Sequence, residues 1–571
     1  MLSLLLLLAA CKTTPVNDTA PPPWRPDLVC PGDAGCATAE GALQAGVATV
    51  SILPACMESW TDANGDATYR YGTDTFHDCG CDDLCAEDPG YPGADEGEGD
   101  GTFQGVWMAG FQNSRPANGV RGPDQGLEGV REGDGLWARA LVLRQGDTSV
   151  GLVTLDVVGW LYEPGTLRVR ELAASLDLDL VVVHATHNHE GPDTMGIWGP
   201  SIVTTGAKPA YLEQVAQAAA DALTQANTSA QPVAELVVGT VDSTPYSERG
   251  TRGVVNDTRD PYVVDERVGG ARLVGADGAT IAALVSFGEH PEALSDENTL
   301  LTSDLVHAAR KGVEAGLHFA GHEHQGVGGT ALFLNSTVGG MMTPLRVGFV
   351  DYDGVEHSAS SFEKADTVGA RIADIALDAM TTAGESVTAP TLSLRATSLR
   401  LPVENIGFQA MFLLGTLNRP LYDYDPNQPL DDANVPYVHT ELDVVQLGPL
   451  RLLTIPGELL PENLIGGYDG GHVNAPGVSV LTDGNPNPPD LATAPPPPYL
   501  IDHFGTPHAW VIGLGNDELG YIIPPYNFEL NASSPYLSEA EGDHYEETNS
   551  LGPQTAPLVL GAAEALLTWA P

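Results

Sequence analysis

The chain has 571 residues, and 42% of them are hydrophobic, which is enough to bury the core of one large domain. Its formal net charge is −51, from 76 acidic and 25 basic residues. A protein with this charge would repel the phosphates of nucleic acids, so we expect no nucleic-acid partner.

An apolar run opens the sequence, MLSLLLLLAAC, and ends in small residues followed by Cys11. The run is shorter than the roughly 20 apolar residues that span a bilayer. It resembles a bacterial lipoprotein signal peptide over residues 1–11, in which LAAC is the lipobox and Cys11 is lipidated. Residues 12–44, which begin with a Pro- and Thr-rich stretch, predict an extended tether. We therefore expect an exported protein that a lipid anchor holds at a bacterial outer membrane or cell surface.

Six cysteines remain after Cys11, and all of them precede residue 86. An even number of clustered cysteines in an exported chain predicts three disulfide bonds. The spacing does not show which cysteines pair. The six are Cys30, Cys36, Cys56, Cys79, Cys81 and Cys85.

The first predicted strand is AGVATVSIL, residues 45–53, and an acidic, glycine-rich insertion follows over residues 57–103. Calcium takes several oxygen ligands from flexible loops, so one interpretation of the insertion is a calcium-stiffened flap. The other interpretation is a solvated acidic loop. The candidate calcium ligands are Asp78, Asp82, Asp88, Asp95 and Asp100.

After Trp107, predicted strands and helices alternate along the chain. Several strands are apolar on both faces, as in a sheet that helices cover. The pattern predicts an α/β fold of the mixed α+β kind, with layered mixed β-sheets flanked by helices. The predicted strands are 138–145, 149–159, 178–185, 234–241, 279–288, 330–337, 442–448, 450–457 and 508–515. The predicted helices are 208–226, 303–316, 362–382 and 557–569.

Polar side chains follow several of these apolar strands. In HATHNHEGP, His187 and His189 face the same side if the backbone is extended, and neutral imidazole is a common zinc ligand. His290 follows another strand in EHP, and Glu458 follows a third in IPGE. Each stretch by itself is more typical of a hydrogen-bonded strand end or a turn carboxylate. What they share is a place at strand ends, where α/β sheets build sites.

Two tyrosines occur in comparable stretches near the C-terminus. Tyr521 lies in NDELGYIIPPY and Tyr545 in HYEETNS. Tyrosines are ordinarily packing residues with a polar tip, so these positions carry little information alone.

Taken in order, HATHNHEGP, EHP, IPGE, NDELGY and HYEETNS resemble the motifs of the neutral ceramidases, a family of zinc amidases. The family motifs run approximately THTHSGP, HP, PGE, an asparagine leading to a tyrosine, and YEAAST followed by GP. AGVATVSILP, WMAGFQN and LWARALVL resemble family segments outside the site. The similarity covers about residues 45–565. It implies a single large catalytic domain over residues 45–571, without the family's C-terminal immunoglobulin-like domain.

The resemblance implies a role for individual residues. His189 matches a histidine beside the metal, Tyr545 a tyrosine that steadies the oxyanion, and Arg249 a substrate-contacting arginine for which Arg252 competes. The positions that match the zinc ligands are His187, His290, Glu458 and Tyr521.

The sequence departs from the family at two places. GMMTPL, residues 340–345, stands where the family has GDVSPN, so the catalytic serine position is Thr343, which keeps a hydroxyl. Glu190 replaces the serine after THTH and adds a negative charge near the predicted metal.

The resemblance implies a zinc-dependent amidohydrolase that cleaves the N-acyl amide of a ceramide-like lipid with metal-activated water. A zinc hydrolase of another amide or ester is the first alternative. A non-catalytic, surface-binding lipoprotein on a ceramidase-like scaffold is the second.

Overall fold

The structure is a computed structural model, and it describes residues 27–243, 255–340, 342–431, 433–473 and 478–568. The predicted signal peptide with Cys11 and the first part of the predicted tether lie outside these residues, as do Arg249 and Arg252. No helix in the described ranges is long and apolar enough to cross a bilayer.

Strands and helices are distributed along the whole described chain. The strands are β1 (Leu28–Cys30), β2 (Gln44–Ser51), β3 (Trp60–Thr61), β4 (Thr75–Phe76), β5 (Trp137–Gln145), β6 (Thr148–Leu155), β7 (Leu180–Ala185), β8 (Gln231–Asp242), β9 (Arg267–Gly275), β10 (Thr280–Phe287), β11 (Gly316–Phe319), β12 (His322–Gln325), β13 (Thr330–Asn335), β14 (Phe349–Val350), β15 (Glu356–His357), β16 (Glu385–Val387), β17 (Leu392–Pro402), β18 (Tyr437–Leu447), β19 (Leu450–Thr454), β20 (Glu458–Leu459), β21 (His508–Ile512) and β22 (Tyr521–Ile522). The helices are α1 (Leu167–Leu172), α2 (Pro209–Thr228), α3 (Leu305–Ala315), α4 (Phe362–Met380), α5 (Ile406–Leu414), α6 (Pro461–Ile465), α7 (Tyr545–Thr548) and α8 (Thr555–Leu567).

Two mixed sheets form the centre of the fold. The larger has nine strands in the order β13-β10-β9-β8-β2-β5-β6-β7, with β16 paired to β8 as the ninth, and the smaller has the order β1-β17-β18-β19-β21. Pairing is parallel between β6 and β7, between β10 and β13, and between β19 and β21. The other neighbours in the two sheets are antiparallel, including β18 and β19, which follow each other in the chain.

The two sheets pack face to face, and helices cover their outer faces. Leu152 in β6 and Leu452 in β19 belong to the apolar core between the sheets. The next residue in β6, Val153, faces the opposite side, where α2 packs. Helices α3 and α4 cover the rest of the larger sheet, and α8 covers the smaller one. Because alternate side chains enter different apolar layers, the strands are apolar on both faces. The predicted layered α/β fold is confirmed.

The folded part begins earlier than predicted, so the proposed tether over residues 12–44 is too long at its C-terminal end. β1 pairs antiparallel with β17, placing Leu28 opposite Ala396. The disulfide between Cys30 and Cys36 is buried in the core between the sheets. A three-residue strand is too short to show a periodicity, and its partner is distant in sequence, so composition alone indicated an extended chain.

The three predicted disulfide bonds are present in the described residues. Besides Cys30–Cys36, Cys56 pairs with Cys81 and Cys79 pairs with Cys85. Cys56–Cys81 joins the acidic insertion to the segment that follows β2, and Cys79–Cys85 closes a short loop within the insertion.

In the insertion, the candidate calcium ligands accept hydrogen bonds from backbone N–H groups. One oxygen of Asp78, Oδ1, is buried without a hydrogen-bond partner, while Oδ2 accepts from Gly101. Calcium binding by this segment stays a prediction. Asp82, Asp88 and Asp95 accept only from backbone in this way, whereas Asp100 also accepts from the side chain of Gln104 at 3.5 Å.

Candidate metal centre

His187 and His290 present the same ring nitrogen to one point. Each Nδ1–H donates to a backbone carbonyl, from His187 to Val158 at 2.7 Å and from His290 to Met342 at 2.9 Å. Because a carbonyl only accepts, Nδ1 carries the proton, and Nε2 keeps the lone pair that a metal requires. The two ring centroids are 4.6 Å apart. The two imidazoles, from loops after β7 and β10, can therefore serve one cation.

His187 has a backbone φ of +66°, which an L-residue other than glycine rarely adopts. Such strain persists only where the surroundings impose it, and it concentrates at functional sites. Here the conformation turns the side chain of His187 into the cavity beside His189 rather than leaving it on the extended path of β7.

Glu458 and Tyr521 come from two short neighbouring strands. β20 and β22 pair in parallel, with Glu458 opposite Tyr521. Glu458 Oε2 lies 3.5 Å from His187 Nε2 and 3.2 Å from His290 Nε2. Tyr521 is buried and lines the same cavity. The four residues predicted as ligands are thus gathered in one place, with Glu458 in contact with both imidazoles.

His189 lies beside this group and is held by a carboxylate. Its Nε2 is 3.4 Å from His187 Nε2, and its Nδ1 is 3.3 Å from Glu292 Oε2. Thr343 Oγ1 donates a hydrogen bond to the other oxygen of Glu292. An ionised carboxylate only accepts, so Nδ1 of His189 carries the proton and Nε2 faces the centre with its lone pair. The hydroxyl of Thr343 therefore acts on His189 through Glu292.

Burial and pairing separate the protonation states of these groups. Burial would lower the pKa of His187, but the Glu458 carboxylate outweighs burial and raises it to about 9, so a metal that binds at Nε2 has to displace a proton there. Burial would raise the pKa of Glu458, and the two imidazoles hold it well below its usual range. Burial lowers the pKa of His189 to about 4, so this imidazole is neutral near pH 7 and can accept a proton. Burial raises the pKa of Tyr545 to about 12, so its phenol keeps its proton.

The donor atoms fit a divalent transition cation. Ring nitrogens of His187, His189 and His290 lie within 4.8 Å of one another and are buried. Glu458 Oε2 is also buried and has no hydrogen-bond partner. A buried carboxylate oxygen among imidazoles is costly unless a proton or a cation satisfies it. Zinc suits this mixture of nitrogen and oxygen ligands.

A cavity of about 90 Å³ opens from this group toward the surface. Gly110 leaves room for His189, because a Cβ at Gly110 would lie 2.4 Å from Cγ of the imidazole. One end of the cavity is polar and is formed by His187, His189, Glu458, Glu518, Tyr521 and Tyr545. The wall is apolar and consists mainly of Val158, Leu161, Met195, Ile197, Trp198, Phe408, Phe412, Leu417, Leu519 and Leu551.

Glu190 belongs to a buried network of its own. Its Oε2 accepts from Arg115 Nη1 at 3.3 Å and from Asn298 Nδ2 at 2.7 Å. Arg115 Nη2 also donates to the backbone carbonyl of His189 at 2.6 Å. Burial raises the pKa of Glu190 to about 8 despite the adjoining Arg115. The departure from the family therefore supports the backbone beneath His189 instead of bringing an unpaired charge to the centre.

Several residues of the site were not predicted from the sequence. Glu292 stands two positions after His290, so the stretch EHPEAL already contained the signal. Asn335 ties two strand ends together by donating from Nδ2 to the carbonyls of Thr186 and Glu289. Glu518 presents a buried Oε2 without a hydrogen-bond partner to the cavity, and burial raises its pKa.

The other histidine of the motif, His184, is structural. Its Nδ1 contacts the carbonyl of Gly513 at 2.8 Å, and its Nε2 accepts from the backbone N–H of Asn335 at 3.0 Å. Both ring nitrogens are therefore satisfied by backbone.

The fold has counterparts among solved structures. The neutral ceramidase from Pseudomonas aeruginosa is similar with a TM-score of 0.55 at 13% identity, over 92% of this chain and 74% of that chain. A ceramidase complexed with C2 gives a TM-score of 0.54 at 14% identity, over the same 92% and 74%. No protein-family model and no curated protein matches the sequence. The chain thus has a neutral ceramidase-like fold, as its motifs predicted.

Proposed function

We propose that this chain is a zinc-dependent amidohydrolase that cleaves the N-acyl amide of a ceramide-like lipid into a fatty acid and an amine. The observation that carries the proposal is the meeting of two imidazole Nε2 atoms and one carboxylate oxygen, from three distant segments, beside an apolar cavity. The similarity to ceramidase structures supports this class of substrate.

A bound zinc would supply a water whose pKa is lowered to about 7 and would polarise the amide carbonyl. His189 accepts the proton of the attacking water at Nε2 and returns it to the leaving amine. Tyr545 donates its hydroxyl proton in a hydrogen bond to the carbonyl oxygen as negative charge develops there. The residues that would hold the zinc are His187, His290, Glu458 and Tyr521.

The wall of the cavity supports an acyl chain as the group bound there. Among its described lining residues, Arg419 is the cationic side chain, and both of its Nη atoms donate to Asp517 at 3.0 Å. A substrate carboxylate would have to compete with that buried pair, whereas an alkyl chain only removes apolar surface from water. Arg249, the proposed substrate contact, lies outside the described residues.

We also propose that the chain is exported and lipidated at Cys11. The apolar start and the LAAC sequence support this. Mass spectrometry of the protein from its natural membrane should show an acylated cysteine at the N-terminus. An unmodified Cys11 would contradict it.

The function is tested by incubating zinc-loaded protein with a panel of N-acyl lipids and measuring free fatty acid. His187→Ala should abolish release, because it removes an imidazole from the centre. His318→Ala, on an exposed histidine far from the cavity, is the matched control and should leave release unchanged. Protein that binds no zinc and releases no fatty acid from any member of the panel would support the non-catalytic alternative instead.

A further inference from the structure

Exposed apolar side chains form a rim on segments that line the cavity or pack against those segments. This apolar rim is defined by Ile202, Val203, Ile406, Leu413, Leu414 and Leu537, all of which are exposed. Single exposed apolar residues are common on protein surfaces, but a group of them around one opening marks an interaction site.

Helix α5 contributes to both the cavity and the rim. Phe408 and Phe412 line the cavity, while Leu413 and Leu414 are 55% and 52% exposed. The helix is firmly held, because Asn405 caps its first turn and also donates from Nδ2 to the carbonyls of Thr548 and Ser550. The exposed leucines therefore sit on a fixed element beside the segment that carries Tyr545.

The loop after the HATHNHEGP motif has the same double role. Ile197 and Trp198 line the cavity, while Ile202 and Val203 at the tip of the loop are 77% and 67% exposed. Gly196 brings this loop against the end of α5, since a Cβ there would lie 2.0 Å from the carbonyl oxygen of Thr416. The two exposed segments thus adjoin each other.

Leu537 extends the rim on the other side of α5. It is 65% exposed, and a Cβ at Gly407 would lie only 3.6 Å from its Cδ2. Three segments of the chain therefore expose apolar side chains next to one opening.

The rim carries no charge of either sign. Residues 196–207, 405–418 and 530–538 contain no Lys, Arg, Asp or Glu. The chain as a whole has a net charge of −51. The charged residues that directly flank these ranges are Glu404, Glu529, Glu539, Lys208 and Arg419. With this acidic excess the surface would be repelled by anionic headgroups, whereas a zwitterionic headgroup layer presents no net charge.

The chain enters the fold on the side where the rim lies. β1 runs antiparallel to β17, so the chain enters the fold from the side on which α5 follows β17. Asp27 there accepts a hydrogen bond from Thr397 at 2.7 Å. The described chain therefore begins at the same end of the smaller sheet as α5.

We propose that the apolar rim docks on the surface of a zwitterionic lipid bilayer, so that an acyl chain passes from the bilayer into the cavity without crossing water. The identity of the substrate that enters rests on the proposed function, whereas the docking itself does not. Burying each of these side chains in the interface removes apolar area from water, and this provides the binding free energy.

The test uses the full chain with Cys11→Ser, which cannot be acylated, and phosphatidylcholine vesicles. Leu413→Ser with Leu414→Ser should lower the vesicle association constant roughly tenfold or more, and Ile202→Ser with Val203→Ser should act in the same direction. Val355→Ser is the matched control, because Val355 is 53% exposed but lies beside the β14–β15 hairpin. Vesicles of phosphatidylglycerol should bind the parent protein less tightly than those of phosphatidylcholine.

Docking and hydrolysis are separated by two substrates. The rim variants should hydrolyse a vesicle-embedded N-acyl lipid about tenfold more slowly and a water-soluble short-chain amide at the parent rate. If no amide is cleaved, the proposed function fails while the vesicle result still stands. Equal vesicle binding by the parent and the rim variants would overturn docking. Docking would also be overturned if the parent bound no vesicles and instead formed a dimer that the leucine variants dissociate.

Discussion

His189 and Glu292 lie side by side, with Nδ1 of the imidazole 3.3 Å from Oε2 of the carboxylate. The two residues are 103 positions apart, and Thr343 holds the carboxylate from a third segment. The contact fixes which nitrogen of His189 faces the centre, and so it gives Glu292 a positioning role in proton transfer.

Glu292→Ala should lower kcat by about 10- to 100-fold, because His189 loses the partner that sets its tautomer and ring orientation. KM and bound zinc should stay within about twofold of the parent values, since neither ligands nor cavity wall change. Steady-state kinetics with metal analysis measures both. Glu292→Asp should restore part of kcat. A loss of zinc that parallels the loss of kcat would show instead that Glu292 serves the structure of the centre.

The three histidines of the centre should differ in metal analysis. His187→Ala and His290→Ala should reduce bound zinc from about one per chain to nearly none, because each removes an Nε2 ligand. His189→Ala should keep the zinc and lose activity, because in the proposed function the other ligands hold the metal and His189 carries the proton. Zinc retained by His187→Ala but lost by His189→Ala would reassign the ligands.

Glu190→Gln should reveal a pH dependence of stability. The pKa of Glu190 is raised from 4.5 to about 8 in the folded chain, so the folded state binds this proton more tightly than the unfolded state. The stabilisation is complete below the unfolded pKa and is lost as the pH rises through about 8. The glutamine variant lacks this loss. The free energy of unfolding of the variant minus that of the parent, measured by denaturant, should therefore increase steadily from pH 5 to pH 8. A difference that stays flat would show that Arg115 keeps the carboxylate ionised throughout.

Removing the Cys56–Cys81 disulfide should destabilise the acidic insertion. The bond joins residues 25 positions apart, and closing a loop of that length restricts the unfolded chain by about 3 kcal/mol. Cys56→Ser with Cys81→Ser should lower the free energy of unfolding by that amount, measured by urea denaturation under conditions that keep the other disulfides oxidised. A change far below 1 kcal/mol would mean that the insertion unfolds separately from the two sheets.

The long elements were predictable because each buries a regular apolar pattern. β6, β7, β10 and β13 were found from runs of Val, Leu and Ile, and α4 from its helical spacing. β9 was missed because Gly269 and Gly270 interrupt its pattern. Their lack of side chains lets Trp510 and α4 approach, which the pattern does not show. Helix α5 was missed because it is apolar almost all round, and no face stands out by period.

The sequence by itself determined the layered class of the fold and the segments that carry the site, because strand ends followed by His187, His290 and Glu458 occur in a characteristic order. Only the tertiary structure decided the disulfide pairs, the pairing of β1 with β17 and the contact of His189 with Glu292. These depend on segments that are remote in the chain and meet only when the sheets and helices pack. Local patterns record which side chains are buried, whereas the partner of a buried polar group is fixed by the packing of the whole molecule.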